Sequence, residues 1–113
     1  MVQPIEAHRE QLAHLCRAYG VARLDVFGSA AKGTFKPDSS DLDFIAQFED
    51  TRAPDYAERF LHFAEALESL FGRPVDLLTE RMIRNPYFRE DVEQTRQVVF
   101  RLSDETRSAQ AAA

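Results

Sequence analysis

One helical pattern between two short strand-like segments most constrains the fold of this chain. From residue 54 to residue 71 apolar side chains recur at helical spacing, and Gly72 followed by Pro74 marks the end of that helix. Residues 41–48 before it alternate between apolar and polar as a strand does, and residues 75–78 after it read as a short apolar strand. A strand, a long helix and a second strand predict two parallel strands joined by a helical crossover.

The rest of the chain adds a helix and a strand before this unit and a helix after it. Residues 4–19 carry apolar side chains at helical spacing up to Gly20, and residues 22–27 alternate as a strand. A final helix is predicted at about 86–97, whereas residues 98–102 fit either an extension of that helix or a strand. The predicted fold class is therefore α/β (α+β), with a small mixed sheet of about three strands packed with helices.

The length, charge and cysteine content of the chain limit its class. Its 113 residues suit one domain, which we place at residues 1–102, followed by a tail at 103–113 that we expect to be disordered. A formal net charge of −5 argues against a protein that grips long nucleic acid, because such binding depends on phosphate contacts. The single cysteine, Cys16, excludes an intramolecular disulfide and lies on the apolar stripe of the first helix. Without a signal-peptide or membrane-spanning pattern, we expect a cytoplasmic protein with no membrane partner.

Two aspartates at the start of the second strand are the first candidates for chemistry. Asp41 and Asp43 are two positions apart, so their side chains share one face of that strand. Carboxylates this close repel each other unless a cation lies between them, and hard oxygen ligands favour Mg²⁺. The pair alone also fits a solvated corner where a loop meets a strand.

Two further features point to the same end of the predicted sheet. Gly28-Ser29 comes where the first strand ends, and there glycine lets a phosphate approach the backbone while hydroxyl and N–H groups hold its oxygens. Asp76 interrupts an apolar strand, where a carboxylate needs a metal or a partner such as Arg73. Antiparallel pairing of the first two strands and parallel pairing of the next two would bring both features beside the aspartate pair.

These residues resemble the signature of the DNA-polymerase-β-like nucleotidyltransferase superfamily. Gly28-Ser29 followed by Asp41-Leu42-Asp43, together with residues 72–79 around Asp76, is similar to its smallest members, the prokaryotic minimal nucleotidyltransferases. Residues 84–89 are similar to the closing helix of that family, and the likeness covers about residues 5–100. The resemblance implies the polymerase-β-like nucleotidyltransferase fold.

The resemblance also implies a chemistry. Asp41, Asp43 and Asp76 would hold two Mg²⁺ ions, and the third carboxylate would help to activate the acceptor hydroxyl. Gly28 and Ser29 would hold the β- and γ-phosphates of ATP, and pyrophosphate would leave.

Lysines in the loop between the first two strands are candidates for further phosphate contacts. Eleven residues lie between Ser29 and Asp41, one more than is common in the family, so the register of this loop does not decide between Lys32 and Lys36. We predict Lys32 as a nucleotide-binding residue, with a solvated loop charge as the alternative.

The family resemblance further implies partners. Minimal nucleotidyltransferases often pair with a small helical HEPN ribonuclease toxin, and some act as its antitoxin by adding AMP to a tyrosine. We therefore expect ATP and a HEPN toxin as partners, with assembly into an oligomer with that toxin, and 113 residues leave little room for an acceptor domain. Two alternatives stay open: a non-catalytic module that neutralises its partner by contact, and nucleotidyl transfer to a small molecule or an RNA 3′ end.

Overall fold

The computed structural model of the protein describes residues 3–28 and 42–102. The predictions made for other parts of the chain lie outside the described residues; they concern Ser29, Lys32, Lys36, Asp41 and residues 103–113.

The described residues form four helices, one 3₁₀ turn and four strands. The helices are α1 (Gln3–Ala7), α2 (Arg9–Ala18), α3 (Tyr56–Phe71) and α4 (Pro86–Thr95). The strands are β1 (Val21–Phe27), β2 (Leu42–Phe48), β3 (Val75–Leu78) and β4 (Gln97–Arg101), and the 3₁₀ turn is Glu80–Met82. Within this part of the chain, none of the helices has the length and apolar character needed to cross a bilayer.

The four strands form one mixed sheet in the order β3-β2-β1-β4. β1 is antiparallel to both β2 and β4, whereas β2 and β3 are parallel and joined through α3. Both predicted pairings are confirmed. The predicted sheet of about three strands gains a fourth, because the segment left open at residues 98–102 forms most of β4.

α2 and α3 cover one face of the sheet and enclose the main core. Phe63 and Leu67 of α3 and Leu12 and Cys16 of α2 are completely buried, which confirms the predicted apolar stripes and the burial of the cysteine. Gly72 ends α3 in the left-handed conformation, with φ of 65°. The strand side chains in this core are Val21, Leu24, Val26, Leu42, Phe44, Ala46, Phe48, Leu77, Val99 and Phe100.

The first helix differs from its prediction, because the segment predicted as one helix over residues 4–19 is two helices. The chain bends at His8, where φ is −118° and ψ is 23°. The His8 N–H donates to the Ile5 carbonyl at 3.2 Å, and the His8 carbonyl then accepts from Leu12 N–H at 2.8 Å. Ile5 is completely buried and the His8 ring packs edge-on against Phe71, at 5.5 Å between centroids. These tertiary contacts outweigh the continuity of the helical pattern.

The opposite face of the sheet carries a smaller apolar cluster beneath α4. Phe27 of β1 and Ile45 of β2 pack there against Val92 of α4 and Ile83, with Leu78 at the margin. This face holds the candidate site, because the alternation of side chains along a strand places Asp43 and Asp76 on it as well.

Candidate active site

Two of the three predicted carboxylates lie opposite each other on neighbouring strands. Asp43 of β2 and Asp76 of β3 are register partners in the parallel pair, so their backbones are about 4.8 Å apart. Asp43 is half-buried and Asp76 is exposed. The strand-helix-strand pattern predicted a parallel crossover, and this crossover brings Asp76 of β3 level with Asp43 of β2.

The third predicted carboxylate, Asp41, lies outside the described residues. Within residues 3–28 and 42–102, no group of three or more His, Cys, Asp or Glu residues is arranged to hold a metal ion. The described part of the candidate metal site therefore consists of Asp43 and Asp76.

Gly28 lies directly against one of these carboxylates. Its neighbour Phe27 is the β1 register partner of Asp43, and an ideal Cβ added to Gly28 would be 2.7 Å from Asp43 Oδ2. Gly28 also has φ of 74°, a conformation that side chains with a Cβ rarely adopt. The predicted role of this glycine is to let a phosphate approach the backbone; its missing side chain also leaves room for the Asp43 carboxylate.

A threonine that sequence reasoning missed holds the same turn. The Gly28 N–H donates to Thr95 Oγ1 at 3.2 Å, across 67 positions of the chain. Thr95 is the last residue of α4, and its hydroxyl donates in turn to the Asp91 carbonyl at 3.0 Å. A threonine at a helix end carries no local signal of such a contact, because only the packing of α4 on the sheet creates it.

A buried aspartate on β1 was also missed. The alternation of β1 placed Asp25 with Arg23 on a polar face, yet Asp25 is 0% exposed. Arg23 donates to both of its oxygens at 2.9 Å, and Arg96 donates to Oδ2 at 2.6 Å. Because α4 covers this face of β1, the carboxylate is enclosed by two guanidinium groups, and such pairing is what makes a buried charge tolerable.

Arg96 extends this ion pair to the 3₁₀ turn and to α4. Besides Asp25, it binds Glu80 and Glu93, each at 2.7 Å. Burial opposes its charge, but the hydrogen bonds to Glu80, Asp25 and Glu93 outweigh burial and raise the pKa of Arg96. Burial alone would likewise raise the pKa of Glu80, but hydrogen bonds from Arg96 and Arg89 lower it. These hydrogen bonds favour the charged forms of Arg96 and Glu80, and the network fixes the end of α4 to β1.

Comparison with known proteins identifies the family of this chain. The family model of the nucleotidyltransferase domain matches residues 8–99, which include Gly28, Asp43 and Asp76. A Methanocaldococcus jannaschii protein named "Putative protein adenylyltransferase MJ1379" is 36% identical over 76 residues, which make up 67% of this chain and 74% of that protein.

Solved structures show the same fold. A structure described as a "putative minimal nucleotidyltransferase" superposes with a TM-score of 0.65 at 36% identity, covering 81% of this chain and 89% of the other. A chain from the complex of a tri-AMPylated Shewanella oneidensis HEPN toxin with its MNT antitoxin superposes with a TM-score of 0.59. It covers 91% of this chain and 77% of the other at 16% identity, so it speaks for the fold alone.

Proposed function

This chain belongs to the nucleotidyltransferase domain family and is a nucleotidyltransferase, and on that premise we propose that it transfers AMP from ATP to a tyrosine of a HEPN ribonuclease toxin, as that toxin's antitoxin. The name of the M. jannaschii relative supports adenylyl transfer to a protein. The complex of an AMPylated HEPN toxin with an MNT antitoxin, which shares the fold, supports the partner.

The pairing of Asp43 with Asp76 beside Gly28 carries the proposal. Like charges directly opposite each other on paired strands are destabilising. A cation between the two carboxylates removes the penalty. In this proposal, a polyphosphate that shares the cation is held at the adjoining turn of Gly28.

The donor set fits magnesium. Asp43 and Asp76 offer only carboxylate oxygens, and the exposed position of Asp76 leaves room for the water that a hard cation keeps. We assign two Mg²⁺ ions to Asp41, Asp43 and Asp76. When bound, they neutralise the triphosphate and the charge that develops during transfer.

The proposed reaction is an in-line displacement at the α-phosphorus. The tyrosine oxygen forms a bond to this phosphorus, the bond from the phosphorus to the α–β bridging oxygen breaks, and pyrophosphate leaves with the electron pair. We assign the tyrosine proton to the carboxylate of Asp76, which is exposed on the edge strand where an acceptor can reach it.

The turn after β1 holds the nucleotide in this proposal. The Gly28 N–H is used by Thr95, so Gly28 lies beside the β- and γ-phosphates without donating its N–H to them. Ser29 and Lys32 supply the polar contacts, and the role of the protein is mainly to position the phosphates.

The experiment is a transfer assay with ATP labelled at the α-phosphate, Mg²⁺ and a lysate of the source cells. The variants are Asp43→Asn and Asp76→Asn. A matched control is Asp50→Asn, which makes the same exchange at an exposed residue beyond the other end of β2, where φ is 50° and asparagine is well tolerated. We expect label on one small protein with the wild type and the control, and a loss of at least about a hundredfold with either site variant.

The outcomes separate the alternatives. Label on RNA or on a small molecule would keep the enzyme and overturn the acceptor. If no NTP supports transfer while wild type and Asp43→Asn bind the partner equally well, the module that neutralises by contact replaces the proposal.

A further inference from the structure

We infer that Thr95 is a positioning residue for nucleotidyl transfer, because its hydroxyl holds the Gly28 backbone in the place that leaves room for the Asp43 carboxylate. The inference rests on the proposed function, since it concerns the same site. Thr95 acts through Gly28, and we assign it no contact with the nucleotide.

The hydrogen bonds of the Thr95 hydroxyl are mutually consistent. Its oxygen accepts from the Gly28 N–H at 3.2 Å, and its single proton is donated toward the helix carbonyls of Asp91, at 3.0 Å, and Val92, at 3.4 Å. A hydroxyl has one proton to donate and lone pairs to accept with, so it accepts and donates at the same time. The orientation of the acceptor for Gly28 is therefore set by the backbone of α4.

The position of Gly28 matters because the Asp43 carboxylate occupies the space on the side of Gly28 where a side chain would lie. An ideal Cβ built on Gly28 would lie 2.7 Å from Asp43 Oδ2 and 3.6 Å from Asp43 Cγ. A shift of the Gly28 backbone toward β2 would reduce the space that this carboxylate occupies.

A second attachment keeps α4 in place independently of Thr95. The next residue, Arg96, donates to the fully buried Asp25 at 2.6 Å, and Val92 is completely buried against the sheet. Loss of the Thr95 hydroxyl should therefore leave α4 docked and free only the Gly28 N–H. This separation makes the positioning role testable without unfolding the protein.

The test uses Thr95→Val, which keeps the branched shape and removes the hydroxyl, and Thr95→Ser, which keeps the hydroxyl. Thr51→Val is the matched control, because Thr51 is exposed beyond the far end of β2. The measurements are kcat/KM for ATP, the thermal midpoint and the rate of amide hydrogen exchange at Gly28.

For Thr95→Val we expect kcat/KM to fall about tenfold and the Gly28 amide to exchange faster, with the thermal midpoint close to wild type. Thr95→Ser should restore both quantities, and Thr51→Val should change neither. A residue that merely stabilised the fold would instead lower the thermal midpoint in proportion to activity.

The inference is wrong if Thr95→Val transfers AMP as the wild type does, or if Thr95→Ser remains as impaired as the valine variant. Failure of the proposed function has a different signature, because then the wild type itself transfers nothing. In that case the role of Thr95 is tested by the amide exchange rate at Gly28 and by the affinity for Mg²⁺-ATP. If both quantities in Thr95→Val equal those of the wild type, Thr95 is not a positioning residue.

Discussion

The carboxylate of Asp43 fills the space that a side chain at Gly28 would need, since a Cβ built there would lie 2.7 Å from Oδ2. Gly28 ends β1, and its neighbour Phe27 pairs with Asp43 across the sheet. The end of one strand and a candidate metal ligand on the next are therefore mutually constrained. Glycine fits position 28 for two reasons: the backbone there is left-handed, and a larger side chain would collide with the Asp43 carboxylate.

Gly28→Ala is expected to abolish transfer and to destabilise the fold. The left-handed backbone costs a residue with a Cβ about 1–2 kcal/mol, and contact with Asp43 adds to this cost. Gly72→Ala is the matched control: Gly72 has φ of 65° but an added Cβ would meet nothing within 4 Å. We expect the control to lose about 1 kcal/mol and keep its activity. Urea unfolding and the transfer assay together measure both effects, and equal activity in the two variants would contradict the steric role.

Asp76→Asn is expected to change the response of stability to Mg²⁺. Without divalent cations the variant should be more stable than wild type by up to about 1 kcal/mol, because a like-charge pair across β2 and β3 is removed. With excess Mg²⁺ the wild type should gain stability and the variant should gain less, since ligands that bind only the folded state stabilise it. Thermal unfolding with a chelator and with Mg²⁺ measures this, with Asp50→Asn as the control. An equal gain in wild type and Asp76→Asn would exclude Asp76 as a metal ligand.

Asp25→Ala is expected to be strongly destabilising, because Asp25 is a buried charged residue of the sheet. It removes a fully buried carboxylate and leaves Arg96, which is 14% exposed, without one of its partners. Breaking a buried ion pair costs about 3–5 kcal/mol, and we expect about 2–3 kcal/mol here because Arg23 reaches solvent, with a side chain 39% exposed. Urea unfolding at constant m-value measures the loss. Asp91→Ala, at an exposed position of α4, should lose less than about 0.5 kcal/mol; a similar loss in both would contradict the prediction.

The stability of the protein is expected to fall at alkaline pH because of Cys16. Burial raises the pKa of the Cys16 thiol from 9.0 to about 12, against a smaller lowering by Arg17. A folded-state pKa above the unfolded value means that this contribution is complete below about pH 9 and is lost as pH rises toward 12. Cys16→Ala should lose less stability than wild type over that interval, although its stability at neutral pH is lower because of the cavity.

The same burial predicts slow chemical modification of Cys16. The thiolate is the reactive form, so at pH 8 the folded protein should react with a disulfide reagent far more slowly than the urea-unfolded chain. Reaction at the same rate in both states would show that Cys16 is accessible.

The strand-helix-strand unit could be predicted because its signals are local. The prediction for β3 at residues 75–78 matches the structure, and Gly72 ends α3 as predicted. Once the crossover is known to be parallel, Asp43 and Asp76 follow as neighbours without any tertiary information. The roles of Asp41, Ser29 and Lys32 remain predictions.

The parts that were missed depend on contacts between distant residues. Asp25 is buried because Arg96, 71 positions away, reaches it from α4, and no local pattern distinguishes it from a solvated strand residue. The sequence of β4 was ambiguous, because so short a segment fits the end of a helix as well as a strand. Its pairing with β1 makes it a strand. The bend at His8 likewise follows from packing against Phe71.

The contact between Gly28 and Thr95 has a consequence for the order of events during synthesis. It closes a loop of 67 positions, so a nascent chain can contain both Asp43 and Asp76 and still lack the support of Gly28 until α4 has emerged and docked. Contacts so distant in sequence form late, because the entropy of closing the loop is lost before the contact repays it. The ability to transfer nucleotides would therefore appear only with the completed fold, and activity would serve as a reporter of correct folding in this small protein.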